Sequence, residues 1–145
     1  MELSSKLQYA LLALLELASS YESGQPLQIQ QIADAQNIPK RYLEQLLATL
    51  RRGGLIKSTR GVKGGYVLAR EPRQITVLDA LSCIEGQEAL FPSVNATSET
   101  VDGKVIQGVW QDGLEALFKV LQEHSLADLC ELRHQHLPIQ LMYYI

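Results

Sequence analysis

Glu44 and Gln45 stand side by side, with Arg41 one helical turn before them. These side chains can read base edges. Gln pairs with adenine through two hydrogen bonds, Glu accepts from the cytosine amino group, and Arg reaches guanine. Bases crowd around them. Residues 40–73 hold nine of the thirteen Lys and Arg and only two acids, Glu44 and Glu71, a local charge of +7. The remainder carries four bases against fourteen acids, or −10, which sums to the overall −3. The total alone would describe a mildly acidic protein, so the distribution is what informs. A basic block inside an acidic chain is an electrostatic footprint for a polyanion. Lys40, Arg51, Arg52, Arg60 and Lys63 supply cations for phosphates, and Tyr42 lies among them. A solvated helix face beside a basic loop is the plain alternative. The coincidence of the block with a helix, a helix stop and a glycine-tipped hairpin favours nucleic acid.

The elements that must position these residues follow from spacing. Ser4 or Ser5 caps a first helix to about Tyr21, with Leu7, Ala10, Leu11, Leu14, Leu15 and Ala18 on a broad apolar arc. A short helix is expected over Leu27 to Gln36, with Ile29, Ile32 and Ala33 inward. The third helix runs from Pro39, a residue suited to a first helical turn, to Arg52. Its stripe is Leu43, Leu46, Leu47 and Leu50, and its length of about 20 Å fits a major groove. Gly53-Gly54 stops it. Strands at Leu55–Thr59 and Tyr66–Ala69 flank a tip from Arg60 to Gly65. Val77 to Ile84 reads as a fourth helix, with Ile75 and Leu78 packing back. Glu88 to Gly108 reads as a polar loop. A long helix from Trp110 to about His124 carries Trp110, Leu114, Leu117, Phe118 and Leu121 on one face. That stripe is either internal core or, as is common for a late amphipathic helix in a small DNA-binding chain, the dimer contact. A short helix at Leu126–Leu132 and an apolar tail, Leu137–Ile145, finish the chain.

The fold class is therefore mainly α with a small β-hairpin: a winged helix-turn-helix plus a long C-terminal dimerisation helix. Residues 1–86 form the DNA-binding domain, and residues 87–145 the loop, dimerisation helix and tail. Other chemistries find little support. Gly61-x-x-Gly64-Gly65 lacks the spacing of a nucleotide-binding loop and precedes a strand, not a helix. There is no H-E-x-x-H, G-x-S-x-G, C-x-x-C or dinucleotide fingerprint, so an enzyme is not expected. Cys83 and Cys130 make no disulfide framework, which fits reduced thiols in the cytoplasm. Cys83 reads as a small core residue, and both thiols are the candidates for redox chemistry. His134 and His136, two apart, do not share a helix face, and with His124 they read as polar helix-end residues, not metal ligands. No signal peptide is recognisable, and no apolar run reaches the ~18 residues that span a membrane.

Together, Ser5-Lys6-x-x-Tyr9-Ala10, Tyr42-Leu43-Glu44-Gln45-Leu46, Leu50-Arg51-x-x-Gly54-Leu55-Ile56, Arg60-Gly61-x-x-Gly64-Gly65-Tyr66 and Ile75-Thr76-Val77 are specific. The chain that carries them resembles the Rrf2 (Rrf-two) family of bacterial winged-helix transcription regulators, the family of IscR, NsrR and CymR. Trp110 and Ser125-Leu126-Ala127-Asp128-Leu129 extend the likeness over most of the length. The resemblance implies a homodimer held by the long C-terminal helix, bound to a partly palindromic stretch of double-stranded DNA. It implies base contacts from Glu44 and Gln45 and places Arg60 in the wing. It also leaves room for a small-molecule or protein effector. Members of the CymR type bind an enzyme, so a protein-interaction module regulated by a partner enzyme is the alternative function. The iron–sulfur members hold three Cys in the loop before the long helix. This chain has none between Cys83 and Cys130, so it is read as a member without a cluster or other cofactor.

Overall fold

The computed structural model describes residues 2–86 and 99–143, with side chains through residue 136. Helix α1 (Ser5–Ser19) begins where the Ser4 hydroxyl accepts from the Leu7 N–H, 3.1 Å away. Its buried positions, Leu7, Ala10, Ala13, Leu14, Leu17 and Ala18, span a wide arc because elements pack on several of its sides. Helix α2 (Ile29–Gln36) starts later than the spacing predicts. Leu27 is instead extended and exchanges both backbone hydrogen bonds with Tyr66, at 3.0 and 2.8 Å. Asn37, left-handed at φ 54°, turns the chain so that Ile38 enters the core. Helix α3 spans Lys40–Arg52, and Pro39 serves as its N-cap residue, not its first helical one.

The two glycines after α3 have different duties. Gly54 adopts φ +78°, a conformation that side chains with a Cβ resist. Gly53 has an ordinary helical φ of −77°, but a Cβ there would collide with the Cys83 sulfur. Strands β1 (Ile56–Thr59) and β2 (Gly65–Leu68) pair antiparallel, Ile56 opposite Leu68 and Thr59 opposite Gly65. A 3-10 turn at Pro72–Gln74 leads to α4 (Val77–Glu85).

The C-terminal part differs most from expectation. Helix α5 spans Val101–Glu123, so Val101 to Gly108, expected in the loop, is helical. The Thr100 hydroxyl caps it by accepting from the Gly103 N–H at 3.0 Å. Two glycines, each costing about 1 kcal/mol in a helix, and three valines hid this turn from a propensity reading. Residues 87–98, the rest of that expected loop, lie outside the described residues. Helix α6 (Leu126–Tyr143) merges the short helix and most of the tail into one element. The tail's side chains from 137 on, and residues 144–145, also lie outside the described residues.

Helices α4 and α6 begin back to back. Each has a reciprocal capping box, Thr76 with Asp79 and Ser125 with Asp128, which satisfies two orphan N–H groups per helix. Backbone bonds from Val77 N–H to the His124 carbonyl (2.9 Å) and from Leu126 N–H to the Ile75 carbonyl (2.8 Å) tie the two starts together. Leu126 and Ile75 are fully buried in the same core as the α1 and α3 leucines.

Candidate nucleic-acid interface

The α3 stripe decides which way its polar residues point. Leu43, Leu46, Leu47 and Leu50 are sealed in the core, which leaves Lys40, Arg41, Tyr42, Glu44, Gln45, Arg51 and Arg52 in solvent. Neither Glu44 nor Gln45 makes a side-chain hydrogen bond to any other described residue, so their donors and acceptors stay available. The cations divide clearly. Arg70 pairs with Asp79 at 3.6 Å and Arg73 with Glu71 at 3.2 Å. Among the described residues, Lys40, Arg41, Arg51, Arg52, Lys57, Arg60 and Lys63 have no carboxylate in ion-pair contact. Two of them are steered by hydroxyls, which leave the charge intact. Arg51 donates to Ser58 Oγ on β1 (3.2 Å), and Arg52 to Thr49 Oγ1 (3.3 Å). The first bond joins the end of α3 to the hairpin.

At the wing tip, Arg60 and Lys63 are exposed, and Val62 stands almost wholly in water. Gly64 permits the tight return, because a Cβ there would meet the Thr59 carbonyl. A basic helix face joined to a protruding basic hairpin has the form of a major-groove reader with a flanking phosphate contact.

Of the residues expected on the dimer face, Trp110 is 67% exposed, while Leu114, Leu117, Phe118 and Leu121 are half-buried on a helix that packs against α4. The sequence reading missed Val101, Val105, Ile106 and Val109, all strongly exposed on the same helix. The four-residue spacing of the three valines was the available signal.

The thiols lie in different surroundings. Cys83 Sγ donates to the Thr49 carbonyl at 3.4 Å under the end of α3. Burial pushes its pKa up, against the pull of the Gly53 N–H and of Arg52. That favours the unreactive thiol over the thiolate. Cys130 lines a cavity of about 630 Å³ with Ala18, Tyr21, Pro72 and His134. His134 and His136 are exposed on α6 at an offset that separates their faces, and His124 ends α5.

Comparison with known proteins bears directly on this arrangement. The Rrf2 family model, described as an iron-dependent transcriptional regulator, matches residues 3–132. The chain belongs to the Rrf2 family. It is 40% identical to slr0846 of Synechocystis over 129 residues, 89% of this chain and 87% of that one. It is 36% identical to the HTH-type transcriptional regulator CymR of Bacillus subtilis, covering 89% of each. Among solved structures, T. potens IscR superposes with a TM-score of 0.79 at 34% identity, over 94% of this chain and 91% of that chain. The fold of this Rrf2 protein is thus the winged helix of IscR and CymR, and its function is that of a DNA-binding transcriptional regulator. The donor set here does not fit an iron–sulfur cluster. The chain has two cysteines, held in separate surroundings. Among the described residues no group of three or more His, Cys, Asp and Glu is placed to hold a metal. No described helix is long and apolar enough to cross a membrane.

Proposed function

We propose that this Rrf2-family regulator acts in the cytoplasm as a homodimer on a partly palindromic operator, without catalysing a reaction. Residues 1–86 carry the DNA contacts and residues 87–145 the association between copies. Two α3 helices enter successive major grooves about 34 Å apart. Arg41, Glu44 and Gln45 read bases. Lys40, Tyr42, Arg51, Arg52, Arg60 and Lys63 hold the backbone. The exposed apolar side of α5, which includes Trp110, meets the same helix of a second copy, since an isologous contact buries both stripes at once.

The observation that carries this reading is the unpaired charge on α3 and the wing. Seven cations that have no carboxylate in ion-pair contact among the described residues repel one another, and phosphates relieve that repulsion. The test is selection of bound sequences from a randomised duplex pool. Glu44→Ala is expected to flatten the base preference while overall duplex affinity is kept. A preference that survives the substitution removes Glu44 from the reading set.

A further inference from the structure

Ser5, Lys6 and Tyr9, on the first turns of α1, have no part in the reading above. They face α3 across a cleft of about 680 Å³, whose far wall includes Tyr42, Gln45, Thr49 and Arg52. The lining contains two cations, Lys6 and Arg52, four hydroxyls and one amide, and no carboxylate. Among the described residues Lys6 has no acid in ion-pair contact. Arg52 is held by Thr49 at 3.3 Å, so its guanidinium is oriented but not neutralised. The rings of Tyr9 and Tyr42 lie 6.3 Å apart at 44°, which fixes one phenol from each side of the cleft. Glu85, at the end of α4, accepts from Ser4 at 3.3 Å and is not part of the lining.

Two positive charges, one of them oriented by Thr49, ringed by neutral donors suit a tetrahedral oxyanion. Gln45 names the source, because it belongs both to this cleft and to the base-reading face. We propose that the α1–α3 cleft clamps a backbone phosphodiester of the same duplex that α3 reads. Lys6 and Arg52 supply the charge, and Ser5, Tyr9 and Tyr42 donate hydrogen bonds. The clamp fixes the depth and register of α3 in the groove, so that Gln45 meets its base edge in one orientation. This rests on the DNA reading above. It adds α1, a helix otherwise serving the core, to the contact surface.

The test is fluorescence anisotropy of a labelled random-sequence duplex across a KCl series, with wild type, Lys6→Gln and Lys6→Arg. Lys6 is exposed, so the variants keep the fold, which circular dichroism checks. Lys6→Gln is expected to weaken binding roughly tenfold and to lower the slope of log K against log salt by about two for a dimer, one per chain. Lys6→Arg restores the slope. A steep wild-type slope left unchanged by Lys6→Gln overturns the clamp while leaving the DNA reading intact. A flat wild-type line defeats both. A parallel series at matched ionic strength replaces chloride with inorganic phosphate, which is expected to compete no better than chloride. If phosphate displaces the duplex from wild type and Lys6→Gln loses only that competition, the cleft is a free-anion site and the clamp is wrong.

Discussion

On α3 the side chains left in water are polar, and among the described residues its four cations have no carboxylate in ion-pair contact, above four leucines sealed from solvent. On α5 the charged and polar side chains in water are accompanied by large apolar ones, Val101, Val105, Ile106, Val109, Trp110 and Val120, and no residue of that helix is fully buried. Two exposed surfaces on one chain therefore lack opposite things. The first lacks counter-charge, which a polyanion supplies. The second lacks apolar contact, which a like surface supplies. Exposure alone does not mark a functional face; the mismatch between a side chain and its solvent does.

The contrast can be tested from its strongest element downward. Leu47→Ala, beneath the reading face, is expected to cost about 2 to 5 kcal/mol, a large part of a domain's stability. Urea denaturation measures it, and a loss under about 1 kcal/mol would mean that α3 rests loosely on the core. Val105→Lys with Val109→Lys places charge on the α5 stripe without touching the head. Sedimentation is expected to show monomers, and duplex affinity to fall roughly 100-fold as bivalent contact is lost. A variant that remains dimeric with full affinity would move the association surface elsewhere. The smallest effect concerns pH. Asp128 is held below the usual carboxylate range, first by the Ser125 backbone N–H and then by the Ser125 hydroxyl. Its folded pKa lies below its unfolded one, so the ionised cap stabilises above the unfolded pKa, and that contribution fades as pH falls through the folded value. Asp128→Asn is expected to flatten the acid limb of a plot of urea midpoint against pH. An unchanged limb would assign acid sensitivity to other carboxylates.

The head was legible because its signals agree. Leucines at helical spacing, paired glycines and a clustered charge each point to the same helix, stop and wing. The cleft was not legible, because it joins Lys6 to Arg52 across a large sequence separation and only packing brings them together. The start of α5 was obscured by local chemistry. Glycine and β-branched residues read as loop, and the four-residue valine period was outweighed by composition. Leu27 shows tertiary override at a single residue. It looks like the first turn of a helix, but its backbone is claimed by Tyr66.

That Leu27–Tyr66 pairing gives β2 a neighbour on each side, β1 on one and the residue ahead of α2 on the other. A lone two-stranded ribbon of this size is marginal in water. Here the ribbon is braced by the scaffold, because both peptide groups of Tyr66 on its inner rail are paired with Leu27. The finger is thus tied to the helical body one residue pair before its turn, so that only the tip itself reaches beyond the brace.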